Sequence, residues 1–110
     1  MTSLEDMAKT ILRNKLLGRW AAEKMGITGP DADACSDALA VMGMTRDPER
    51  SDVFSKIRKD FNAAGVGESD EQILGVMTEF MIKAGNQMAS KQGSSLDAAE
   101  VMLKRNLMSR

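Results

Sequence analysis

The sequence predicts an all-α protein: a four-helix bundle with short connections and room for a short C-terminal tail helix. Apolar residues recur at the three- and four-residue spacing of a helix face through most of the chain, and glycine, proline and capping pairs divide those stretches. A chain of 110 residues is enough for one domain with a modest core.

Ser3 with Asp6 three residues on resembles a capping box, and the pattern then runs to Met25 before Gly26, which predicts a first helix near 4–25. The second opens at Gly29-Pro30-Asp31, where proline suits the first helical position, and is expected to bury Cys35, Ala38, Leu39 and Met42 before Gly43. The third is expected from Asp47-Pro48, with Val53, Phe54, Ile57, Phe61 and Ala64 as its stripe and Gly65 as its stop. A second box, Ser69 to Gln72, starts the fourth, which carries Ile73, Met77, Phe80, Ala84 and Met88 inward and ends near Lys91. Gln92-Gly93-Ser94-Ser95 reads as a flexible break. Beyond it Leu96, Ala99, Leu103 and Leu107 sit at helical spacing opposite Asp97, Lys104 and Arg105, so the chain divides into a bundle domain, 1–91, and a break with an amphipathic tail helix, 92–110.

Composition narrows the function. Fifteen basic residues against 16 acidic ones leave no electrostatic footprint for nucleic acid or an anionic membrane. No stretch reaches the roughly 18 apolar residues of a membrane span, and the N-terminus lacks the features of a secretory signal. A lone cysteine forbids an internal disulfide and fits a reducing cytoplasm. There is no histidine, so imidazole metal sites and the common Ser-His and Cys-His pairs are excluded. No nucleophile and base stand out; the sequence reads as a binding protein without metal or cofactor.

The first helix carries two apolar stripes. At about 100° per residue, Leu4, Met7, Ala8, Ile11 and Leu12 cluster on one side, and Leu16, Leu17, Trp20 and Ala21 nearly opposite. One straight helix is not expected to aim both at one core, so residues 16–25 should dock on the bundle while Leu4 to Leu12 form a face for a partner or pack elsewhere. Arg13, Lys15 and Arg19 make a candidate anion-binding face for weak nucleotide binding, or a solvated face closed by Glu23. Trp20 is expected as a packing anchor, the loop glycines as caps, Cys35 as a small buried thiol, and most methionines as core filling.

The order Arg13-Asn14-Lys15-Leu16-Leu17-Gly18-Arg19-Trp20-Ala21-Ala22 is more particular than an amphipathic helix requires. With Glu23 to Gly29, Asp31 to Ala34, Asp52 to Val66 and Ser69 to Ile73, it resembles the ATPase inhibitor subunit zeta family of alphaproteobacteria, over residues 12–80. The motif residues of that resemblance are Arg13, Asn14, Lys15, Leu16, Leu17, Gly18 and Trp20. It implies a helical bundle carrying an N-terminal segment that enters an alpha/beta catalytic interface of the ATP synthase head and blocks rotation driven by hydrolysis, with no catalytic residues of its own. Here twelve residues precede Arg13, fewer than in the family's inhibitory extension, so no inhibitory residue carries over. The segment Val41 to Arg50 and the addition from residue 92 also depart from the family, which suggests a divergent member. The alternatives are a non-inhibitory adaptor or self-associating protein, and a nucleotide-sensing module.

Overall fold

The computed structural model describes the backbone of residues 4–108 and the side chains of residues 4–89. Its helices are α1 (Leu4–Lys24), α2 (Gly29–Met42), α3 (Val53–Ala64) and α4 (Asp70–Met108), and no strand occurs among the described residues. The expected all-α, four-helix architecture is present.

Local chemistry sets the boundaries. After α1, the Ile27 N–H returns to the Ala22 carbonyl at 2.8 Å, a closure that needs the left-handed backbone of Gly26, φ +72°. Gly65 does the same after α3, where the Val66 N–H meets the Phe61 carbonyl at 2.8 Å. The box that opens α4 is reciprocal: the Ser69 N–H donates to Gln72 Oε1 at 2.8 Å and the Gln72 N–H to Ser69 Oγ at 3.1 Å. Ser3, the expected cap of α1, lies outside the described residues.

Two boundaries differ from expectation. The start of α3 moves from Asp47 to Val53, because Asp47 is spent on a turn. Its carboxylate accepts from the Glu49 N–H at 3.0 Å and its carbonyl from Ser51, while Asp52 caps the helix by accepting from the Ser55 N–H at 3.0 Å. The expected break at 92–95 is helical, since α4 continues to Met108. Gly93 alone costs only about 1 kcal/mol in a helix interior, and with no proline nearby the hydrogen-bond ladder is not interrupted. The side chains of the expected tail stripe, Leu96 to Leu107, lie outside the described residues.

The core gathers where all four helices meet. Leu17 and Ala21 of α1, Leu39 of α2, Val53, Ile57 and Phe61 of α3 and Ile73 of α4 form one buried cluster, with Met42, Phe54, Met77 and Phe80 packed on it. Fully burying a side chain such as Phe61 or Ile57 contributes about 1.5–3 kcal/mol. Trp20 lies on this core as expected, tilted at 57° over Phe61 with ring centroids 5.5 Å apart. Ala64, expected in the α3 stripe, is exposed.

The face of α2 is rotated from the expected one. Ser36, Leu39 and Ala40 are buried, Cys35 and Met42 are half-buried, and Ala38 is exposed. Close contact with α1 is the cause: a Cβ built on Gly18 would lie 2.7 Å from the Cys35 carbonyl oxygen and 2.7 Å from Ser36 Cα, so only small residues fit this crossing. The Ser36 hydroxyl then donates to the Lys15 carbonyl at 2.9 Å.

The two stripes of α1 are also reconciled. Its buried residues, Asn14, Leu17, Gly18, Ala21 and Ala22, cover one arc of about 140° at 100° per residue. Leu17 and Ala21 occupy the edge toward the core. Met7 and Ile11 continue the other edge, shared by Gly18 and Ala22, toward α2. One helix therefore packs Met7 and Ile11 of the first stripe as well as the second stripe, because α1 lies between neighbours and packs on both α2 and α4. The expectation that a straight helix could not do so assumed a single neighbour.

Candidate functional site

The start of α1 is the expected partner-binding segment, and the structure divides it. Leu4 is 85% exposed and Ala8 is exposed, whereas Met7, Ile11 and Leu12 are half-buried. Ile11 lies beneath the end of α2, where a Cβ on Gly43 would stand 3.1 Å from its Cα and 3.1 Å from its Cγ1. Only Leu4 and Ala8 of the five present an open surface.

The remainder of the motif is largely internal. Leu17 is in the core, Gly18 is the contact with α2, and Asn14 is 1% exposed. Asn14 Oδ1 accepts from Arg13 Nε at 2.8 Å, while its Nδ2 has no protein partner and lies against Gly43. Leu16 and Trp20 are half-buried and Lys15 is exposed. The particular order of these residues thus encodes packing more than a reactive surface.

The three cations of the candidate anion-binding face do not share one side: Lys15 and Arg19, both exposed, lie about 40° apart around α1, and Arg13 is turned away from them. Arg19 pairs with Asp33 of α2 at 3.0 Å, a mostly exposed bridge worth at most about 1 kcal/mol. Helical geometry turns Arg13 and Lys15 about 160° apart. Arg13 is half-buried, and burial pushes its guanidinium below its ordinary value. It lines a cleft of about 330 Å³ with Met7, Thr10, Gly43, Thr45, Arg46 and Ser51.

Sequence reasoning missed several surface features. Val41, near the end of α2, is 58% exposed; Leu74 and Ile82, eight residues apart on α4, are 50% and 61% exposed. Their spacing on one helical face was the available signal. An ionic network ties the helix ends: Arg58 donates to the Glu68 carbonyl at 2.7 Å and contacts Asp70 at 2.7 Å, and Lys24 of α1 reaches Glu68 at 3.4 Å.

Among the described residues no group of side chains could hold a metal ion, and no helix is long and apolar enough to cross a membrane. An apolar cleft of about 230 Å³ between α1, α2 and α3 has Lys56 and Asp60 at its rim, bound to each other at 3.0 Å.

The model of the ATPase inhibitor subunit zeta family matches residues 6–87. The chain belongs to that family. Its members are non-enzymatic regulatory proteins. Neither the curated proteins nor the solved structures provide a match. The matched span contains the Gly18 crossing, buried Asn14 and every residue of the core cluster; Leu4 precedes it, and the end of α4 follows it.

Proposed function

We propose that this zeta-family chain binds the catalytic head of an ATP synthase in the cytoplasm and restrains ATP hydrolysis there. The observation that carries the reading is the family match over residues 6–87. A binding protein of this kind needs no chemistry of its own: a helix held at an alpha/beta catalytic interface stops the conformational cycle that hydrolysis drives. The start of α1 suits the task, because it is helical from Leu4 onward and so carries little further ordering cost on docking. Leu4 and Ala8, one turn apart, offer the apolar contact that helix-in-groove recognition uses.

The test is ATP hydrolysis by isolated catalytic heads titrated with the wild-type protein and with Leu4→Asp. Deleting residues 1–12 would be a poorer choice, since it also removes Ile11 from beneath Gly43. Leu4 is 85% exposed, so its substitution leaves the bundle folded. Dose-dependent inhibition by the wild type, weakened roughly tenfold or more by Leu4→Asp, is expected for an apolar anchor. Absence of inhibition by the folded wild type would overturn the reading and leave the scaffold an adaptor or a self-associating protein.

A further inference from the structure

Arg13 combines features that a surface arginine does not have. It is half-buried, its Nε is committed to Asn14 Oδ1 at 2.8 Å, and no carboxylate partners it among the described residues. The surroundings hold donors. Thr45 accepts the Asp47 N–H at 3.2 Å through its oxygen, which leaves its O–H free to donate, whereas the hydroxyls of Thr10 and Ser51 are spent on the Asp6 and Asp47 carbonyls. No acidic side chain is among the described residues lining the cleft.

We infer that the Arg13 cleft is a socket for a single carboxylate, carried by an acidic side chain of a partner protein. The terminal nitrogens of the guanidinium form a planar fork that matches a carboxylate in two parallel hydrogen bonds, and Thr45 supplies a third donor. Charge decides between a carboxylate and a phosphate. Gly43, which lines the cleft, stands at the C-terminus of α2, whose dipole places about half a negative charge there. Arg46, which also lines the cleft, is exposed and already has a partner, so Arg13 is the guanidinium left to fill. Its single charge, partly offset by that half charge, suits the one negative charge of a carboxylate better than the two of a phosphate dianion.

The identity of the partner rests on the reading of the protein as a ligand of the ATP synthase head, but the socket can be tested without it. In the isolated protein, the Arg13 Nε–H and the Gly43 and Thr45 amides are followed by NMR while acetate, or inorganic phosphate, replaces chloride at constant ionic strength. Saturating shifts with acetate, abolished by Arg13→Gln and weakened severalfold by Thr45→Val, are expected. No saturating shift at about 0.1 M acetate overturns the inference, and so does phosphate acting at lower concentration than acetate. Because Arg13 is partly packed, Thr45→Val, in an exposed loop, keeps the test decisive if Arg13→Gln unfolds. With catalytic heads, Arg13→Gln is expected to weaken inhibition tenfold or more and Arg13→Lys nearly as much, since lysine keeps the charge and loses the fork. Unchanged inhibition by Arg13→Gln overturns the socket while leaving the broader reading intact; failure of the wild type to bind the heads overturns that reading and leaves the acetate result to judge the socket.

Discussion

Replacing Gly18 by alanine tests the packing of the whole bundle with one methyl group. The new Cβ would stand 2.7 Å from the Cys35 carbonyl oxygen, 2.7 Å from Ser36 Cα and 3.0 Å from Ser36 N, all backbone atoms that cannot rotate away. Carbon contacts settle at about 3.5–4.0 Å, so α1 and α2 must part by roughly 1 Å. Overpacking of this kind costs about 1–3 kcal/mol. Separation also stretches the 2.9 Å bond from the Ser36 hydroxyl to the Lys15 carbonyl, worth a further ~0.5–1.5 kcal/mol. Against these stands a gain of about 1 kcal/mol from alanine's better helix propensity. The net expectation is a loss of roughly 1–3 kcal/mol, or about 5–15 °C in Tm. Urea unfolding followed through Trp20 fluorescence and far-UV circular dichroism gives the number. Gly75 supplies the control: it lies in α4 with nothing within 4 Å of an added Cβ, so Gly75→Ala should raise stability by up to about 1 kcal/mol. If both alanines stabilise equally, the close crossing of α1 and α2 is wrong.

Arg58→Met removes the contacts to the Glu68 carbonyl and Asp70 that join α3 to the start of α4, and should cost about 1–2 kcal/mol in the same urea assay. Lys56→Met, which breaks only a partly exposed pair one turn apart with Asp60, should cost about 0.5 kcal/mol or less; equal losses would deny Arg58 its joining role. Asp52 gives a pH dependence, because the Ser55 hydroxyl, then the Ser55 backbone N–H, hold its carboxyl below the ordinary carboxylate value. A carboxyl lowered in the folded state stabilises above its unfolded value of about 4 and loses that contribution as pH falls through the lower folded value. Asp52→Asn should therefore flatten the decline of Tm below about pH 4, and an acid limb identical to wild type would remove Asp52 from its cause.

Much of the fold was legible because helix signals are local. The reciprocal box at Ser69 and Gln72, the stops at Gly26 and Gly65, and the inward residues Val53, Ile57, Phe61 and Ile73 all depend on neighbours within one or two turns, and all are present. The errors at Asp47 and at residues 92–95 have the same origin. An aspartate before a proline satisfies the rules for a turn as well as for a cap, and one glycine amid serines weakens a helix without ending it. The candidate site was less legible. The Arg13, Lys15 and Arg19 cluster looked like one face because the residues are close in sequence, yet rotation along α1 separates Arg13 from Lys15, and Arg19 finds Asp33 on another helix.

The sequence by itself determined the all-α class, the stops at Gly26 and Gly65, the box at Ser69 and Gln72 and the family, since these are set by residue order over a turn or two and by a motif whose particular order survives as text. Only the tertiary structure decided that α1 packs on both α2 and α4, that Gly18 is required by a backbone contact, that Ser36 and Ala40 rather than Ala38 face inward, and that Arg13 lines a cleft with the end of α2. Those facts depend on where separate helices cross and how far each is rotated about its axis. Rotation and crossing are fixed by the mutual exclusion of side chains from different helices, a balance of close-packed volumes to which no single segment holds the answer.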